Sequence, residues 1–90
     1  MSKLAAYKFE TIHVLGEPIK LSESSEEAWI TLQGGDIRYR YDGDNPTALE
    51  GHVLYQGHTL RLSGQSQVAG FRAVACTDKE GILSVSYERY

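Results

Sequence analysis

Three sets of side chains in this 90-residue chain are of types that do chemistry. The acidic turn Asp42, Asp44 and Asn45, with Asp36 upstream, offers the oxygen ligands that calcium takes. Pro46 and Thr47 stand where an EF-hand loop needs a further ligand and a glycine, and Asx side chains in turns bond to nearby backbone amides. The stretch therefore reads as a turn, with Asp42, Asp44 and Asn45 as its weak metal candidates. His13, His52 and His58 are the imidazoles; His52 and His58 are expected to flank a hairpin, which invites zinc. No third ligand of the right type is evident, since Cys76 falls on a different strand. A serine nucleophile would need a base, an orienting acid and a sharp elbow, but Gly64-Gln65-Ser66-Gln67-Val68 lacks the second glycine. Paired glycosidase carboxylates would need a cleft larger than a chain this size provides. No catalytic residue, cofactor or enzyme activity is expected.

The aromatic side chains are the larger resource: Trp29, Tyr39, Tyr41, Tyr55, Tyr87 and Tyr90. Exposed on a sheet, such rings stack on sugars or anchor a protein interface. Trp29, Tyr39, Tyr41 and Tyr90 are the interaction candidates. Trp29 stands out because it lies opposite Ile30 and Leu32 in its strand, so both faces of that strand are apolar. A second apolar face implies a two-sided core or a partner.

These residues must be carried by strands. In Asp36 to Thr47, Ile37, Tyr39 and Tyr41 share one side and Arg38 and Arg40 the other, the alternation of a half-buried strand. Asp42-Gly43 ends it, and Asn45-Pro46-Thr47 makes a polar turn; the proline also excludes glycosylation there. In residues 5–14, Tyr7 and Phe9 give way to Ile12 and Val14 on the other parity, which predicts a bulge near Glu10 or Thr11. Ile19 and Leu21 give a short edge strand after Pro18, and residues 21–27 a turn. Residues 28–33 form a strand with Ala28, Ile30 and Leu32 inward, and Gly34-Gly35 should turn it as a hairpin into the Asp36 strand. Short strands follow at 52–55 and 58–62, joined by a Gln56-Gly57 turn, then a polar loop at 63–67. Strands at 70–76 and 82–90 complete the set, the last with Leu83, Val85 and Tyr87 inward. Seven or eight short strands and no helical period of useful length predict an all-β, small antiparallel β-sandwich, Ig-like or jelly-roll-like.

Ninety residues make a single domain, 1–90, with residues 1–6 expected as a flexible N-terminal arm. A chain this short buries only about 60–65% of its unfolded surface and needs supplementing. One cysteine rules out an internal disulfide and suits a reducing compartment, so oligomerisation is the expected supplement. Nine Lys and Arg against twelve Asp and Glu, without a basic block, leave no footprint for nucleic acid. No apolar run has signal-peptide or membrane-span length, so no membrane partner is expected.

Two family resemblances meet in these residues. Ile37 to Thr47 resembles the Y-x-x-D-G-x-x-P-T signature of the immunoglobulin-like domain at the C-terminus of chitobiases, and Leu60 to Ala75 is similar to its continuation. The chain as a whole resembles small β proteins encoded among the structural genes of tailed bacteriophages. The shared features are Trp29-Ile30-Thr31, Gly34 to Arg40, Asp42 to Thr47, Gly51-His52 and Gly70 to Ala73. That resemblance implies a virion component made in the bacterial host cytoplasm. It would decorate or stabilise the capsid, or complete the head–tail region, against major capsid, portal or tail proteins. Many copies per particle, or a homo-oligomer, would be present. The alternative it leaves is a carbohydrate-binding accessory module, or a tail adhesin component, with Trp29, Tyr39 and Tyr41 in one exposed row.

Overall fold

Eight strands and one short helix make up the computed structural model, which describes residues 4–90. The strands are β1 (Ala5–Val14), β2 (Ile19–Lys20), β3 (Glu27–Gly34), β4 (Ile37–Arg40), β5 (His52–Leu54), β6 (Thr59–Ser63), β7 (Arg72–Ala75) and β8 (Gly81–Arg89). Helix α1 (Gln65–Gly70) lies between β6 and β7. The first four strands pair antiparallel with the last four in reverse order: β1 with β8, β2 with β7, β3 with β6, β4 with β5. The chain is thus one long hairpin bent at residues 41–51. It is then rolled up, so that β8 also pairs with β3 and β7 with β4. Two four-stranded sheets result, β1-β8-β3-β6 and β2-β7-β4-β5. That order is a jelly roll, and it departs from the immunoglobulin order, in which the first two strands are neighbours in one sheet.

The core lies between the sheets and follows the alternation in the sequence. From the first sheet come Ala28, Ile30, Leu32, Leu62, Leu83, Val85 and Tyr87; from the second come Ile37, Leu54 and Ala73, with Phe71 beside them, all buried. Each large apolar side chain placed there contributes roughly 1.5–3 kcal/mol over leaving it in water. Val68, the one buried residue of α1, closes one end. Tyr87 reaches across the core edge: its hydroxyl donates to Glu10 Oε1 and accepts from the Ser22 amide at 3.2 Å, while Ser22 Oγ donates to the same carboxylate at 2.7 Å.

Several local expectations are corrected. Gly34-Gly35 and Gln56-Gly57 do not close hairpins, because β3 and β4, like β5 and β6, belong to opposite sheets. They are corners. At the first, a Cβ on Gly35 would stand 2.4 Å from the Lys79 carbonyl oxygen, so only glycine lets the β7–β8 turn approach this closely. The bulge in β1 falls at Tyr7, between Ala6 and Lys8, rather than near Glu10 or Thr11. That shift turns Glu10, Ile12 and Val14 inward and leaves Phe9 outside at 62% exposure. The polar loop expected at 63–67 is largely taken up by α1, whose Gln67 side chain accepts from the Ser63 amide at 2.9 Å. Of the expected N-terminal arm, residues 1–3 lie outside the described residues, and Ala5 and Ala6 pair with Arg89 and Glu88 in β1.

The two outer faces differ. The loop 41–51 folds over the outside of the second sheet, burying Pro46 and leaving Val74 only 4% exposed. Among the described residues nothing comparable covers the first sheet, where Trp29 remains 45% exposed.

Candidate functional site

The uncovered face of the first sheet is built by register. Phe9 on β1, Ser86 on β8, Trp29 on β3 and Arg61 on β6 are successive ladder partners, so they form one row across all four strands. The neighbouring row is Thr11, Ser84, Thr31 and Thr59, four hydroxyls side by side. Strands spaced about 4.8 Å apart set Phe9 and Trp29 about 10 Å from each other with only serine between them. The two rings therefore flank a shallow cleft of about 250 Å³, lined also by Ala6, Thr31, Ser84 and Glu88. A large residue at position 84 or 86 would fill it; serine leaves it open.

The charges on this face are matched within it. The Arg61 guanidinium lies 4.9 Å from the centre of the Trp29 ring and reaches Glu27 at 2.6 Å and Glu88 at 2.7 Å. Both carboxylates raise the already high pKa of Arg61, the hydrogen bond to Glu88 most of all. The cation–π contact holds the indole against the sheet, and the two carboxylates hold the cation over the indole. What this surface offers is two exposed aromatic rings, one of them held by Arg61, a gap between them, a strip of hydroxyls and a self-compensated charge cluster at one end.

The other candidates separate into different places. Tyr39 and Tyr41 lie on the second sheet and stack with each other at 6.4 Å, with His52 at 5.3 and 5.8 Å from their centres. Tyr39 also stacks on buried Phe71 at 5.8 Å, so it is half core residue, and burial raises its hydroxyl pKa. The single row of Trp29, Tyr39 and Tyr41 is not formed, because Trp29 is on the other sheet. Tyr90 projects past the end of β8, 72% exposed.

The acidic turn is engaged by its own strand. Arg40 meets Asp42 through two contacts, Nε to Oδ1 at 3.1 Å and Nη2 to Oδ2 at 2.5 Å, and reaches Asp44 at 3.5 Å. The hydrogen bond from Arg40 holds the Asp42 carboxyl below its usual range. Asp42 Oδ1 also accepts from the Asp44 amide at 3.3 Å, the turn-building role. The imidazoles disperse: His13 contacts Glu80 at 3.0 Å, His52 sits with the tyrosines, and His58 packs edge-on to Tyr55. Among the described residues no three His, Cys, Asp or Glu side chains are placed to share a metal ion. Burial pushes the Cys76 thiol up, away from the reactive thiolate form.

Two residues of the exposed row, Phe9 and Arg61, did not emerge from the sequence as candidates. The available signal for Phe9 was parity: with the bulge placed at Tyr7, Phe9 joins Thr11 and His13 on the polar side of β1. Comparison with known proteins returns no match from family models, curated proteins or solved structures.

Proposed function

We propose that this protein is a non-enzymatic structural component of a bacteriophage virion, acting by lying against other protein copies. The observation that carries the reading is the outer face of the first sheet, which exposes Phe9 and Trp29 while the other outer face is covered by its own loop. A rigid jelly roll presenting one uncovered aromatic face is suited to repeated docking on a lattice, where weak contacts multiply through symmetry. Partner binding would also supplement a thin 90-residue core by mass action. The sequence resemblance to small tailed-phage proteins selects the partners: major capsid, portal or tail components. Jelly rolls serve in capsids, lectins and cupins alike, so the fold adds analogy and no more.

The test is association with particles. The tagged protein, expressed during infection, should band with virions or head intermediates in a density gradient in many copies, and immunogold should mark the capsid or the head–tail junction. Absence from purified particles overturns the reading. The carbohydrate-binding alternative draws on the Tyr41–His52 stack, two exposed rings inclined by 18°. A glycan array positive for the wild type and negative for Tyr41→Ala would support it instead.

A further inference from the structure

We infer that the outer edge of β1 is a strand-pairing site for a second copy of this chain, the two β1 strands running antiparallel about a twofold axis through Thr11. The inference goes beyond the virion reading and does not depend on it.

The free backbone groups on that edge follow from the ladders. The Leu32 amide donates to the His58 carbonyl at 3.3 Å, and the Leu32 carbonyl accepts from the Gly57 amide at 2.9 Å. Leu32 thus aims its backbone groups away from β8, and Thr31 and Gln33, one residue either side, aim theirs at β8. Their ladder partners are Ser84 and Ile82. Leu83 and Val85 therefore turn the other way, towards β1, where they meet Ile12 and Glu10. What remains on the far side of β1 is the N–H and C=O of Phe9, Thr11 and His13. Among the described residues no strand pairs with them.

The other sheet edges are guarded. Folded proteins keep edges from pairing by making them short, by charging them or by bulging them. β2 and β5 are two and three residues long. β6 carries Arg61 at its middle, and its last amide, Ser63, donates to the Gln67 side chain. β1, by contrast, runs for ten residues. The bulge at Tyr7 and then Lys8 guard its beginning. Beyond Val14 the chain leaves for the second sheet, the Leu15 carbonyl accepting from the Ala75 amide at 2.8 Å. The unguarded window is residues 9–13, and Thr11 is its centre.

A window symmetric about one residue is complementary to itself, which singles out a like copy as the occupant. Phe9 pairs with the partner's His13, Thr11 with the partner's Thr11, and His13 with the partner's Phe9. Each of these pairs exchanges both of its N–H to C=O hydrogen bonds. On the outer face they set phenyl beside imidazole and hydroxyl beside hydroxyl, both favourable cross-strand neighbours. On the other face Glu10 comes opposite the partner's Ile12 and Lys8 opposite the partner's Val14, so no like charges meet. The register centred on Glu10 keeps the hydrogen-bonding parity but sets two glutamates face to face, which opposes it. Because the remaining edges are guarded, β1 on β1 closes as a dimer and builds no filament.

An edge contact buries little area and draws its strength from main-chain hydrogen bonds, so the dimer is a weak one, with a dissociation constant on the order of 100 μM. Amide hydrogen exchange of the full chain, read residue by residue by NMR, tests it at concentrations about a decade below and above that constant. The amides of Phe9, Thr11 and His13 should exchange freely in the dilute sample and about fourfold more slowly in the concentrated one, as mass action requires. Those of Glu10 and Ile12, bonded to β8, should be protected in both. Sedimentation equilibrium over the same range should follow a monomer–dimer isotherm. Thr11→Pro removes an N–H that no strand of its own chain uses, the position in a sheet where proline is tolerated. Its circular dichroism and thermal melting should stay close to wild type, while the concentration-dependent protection at Phe9 and His13 disappears.

Wild-type edge amides that exchange equally fast at both concentrations overturn the inference, whether or not Thr11→Pro folds. So does a dimer that leaves those amides free, or a folded Thr11→Pro variant with an unchanged isotherm. Protection that appears only when purified phage particles are added also overturns it, since the edge then takes a different strand. The two proposals fail separately. A dimer paired through β1 that never associates with particles sinks the virion reading alone, and a monomer found on particles sinks this one alone.

Discussion

Glu10 shows how one side chain can tie stability to pH. Its inward turn brings partial burial, which by itself pushes the carboxyl pKa up, but hydrogen bonds from Tyr87 and Ser22 outweigh this and hold it below the usual value. A carboxyl depressed on folding stabilises the native state above the unfolded value near 4.3, and that contribution is lost as pH falls through the folded value. Tyr87 works at the other end: burial, then its bond to the carboxylate, pushes its hydroxyl up to about 12. Its contribution is present below the ordinary value near 10 and is lost as pH rises towards 12. The melting temperature should therefore be flat between about pH 5 and 9 and fall on both sides. Glu10→Gln should flatten the acid limb in a pH series of thermal melts. Tyr87→Phe keeps the ring in the core and removes both bonds of its hydroxyl, the one given to Glu10 and the one accepted from the Ser22 amide, so urea unfolding should show a loss of about 1–3 kcal/mol. No loss would mean that the three-residue brace is idle. The sequence showed Tyr87 as a core residue through its parity with Leu83 and Val85; it did not show Glu10 beside it, because the two are brought together by the β1–β8 register.

At the level of strands, faces were legible and neighbours were not. The alternation Ala28, Ile30, Leu32 against Trp29, Thr31 told which side of β3 is buried, since burial imposes a period of two on any strand with one wet face. The same logic worked for β4, β6 and β8. Pairing failed at Gly34-Gly35 and Gln56-Gly57 because a glycine turn looks alike whether it closes a hairpin or passes the chain between sheets. Helix α1 stayed hidden because six residues with one apolar anchor, Val68, carry no period. The exposed site was half visible: Trp29 declared itself as an apolar residue on the wrong side, whereas Phe9 depended on a bulge one strand away from any turn signal. The corners can be tested directly. Gly35→Ala forces a Cβ into the Lys79 carbonyl and should cost about 2–3 kcal/mol in chemical unfolding. Gly16→Ala meets nothing within 4 Å and should change stability by no more than about 0.5 kcal/mol. Equal effects would show that the corner has slack.

Over the whole molecule, the pairing of the first four strands with the last four makes nearly every ladder a long-range one. The cost of closing such large loops precedes the gain from their contacts, so folding should occupy milliseconds to seconds in stopped-flow mixing, and microsecond folding would contradict the topology. Deleting residues 81–90 should abolish cooperative unfolding, because among the described residues β8 is the only ladder partner of β1 and one of two for β3. A truncated chain that still melts sharply would refute that dependence. The position of β8 also bears on how the protein comes into being. Synthesis runs from β1 towards β8, so the strand that lies second in its sheet is made last of the eight. Until β8 emerges β1 lacks its ladder partner, and Ile12, Val14 and Ile30 lack the strand that lies beside them in the finished sheet. A chain that stops before residue 81 lacks the strand that joins β1 to β3.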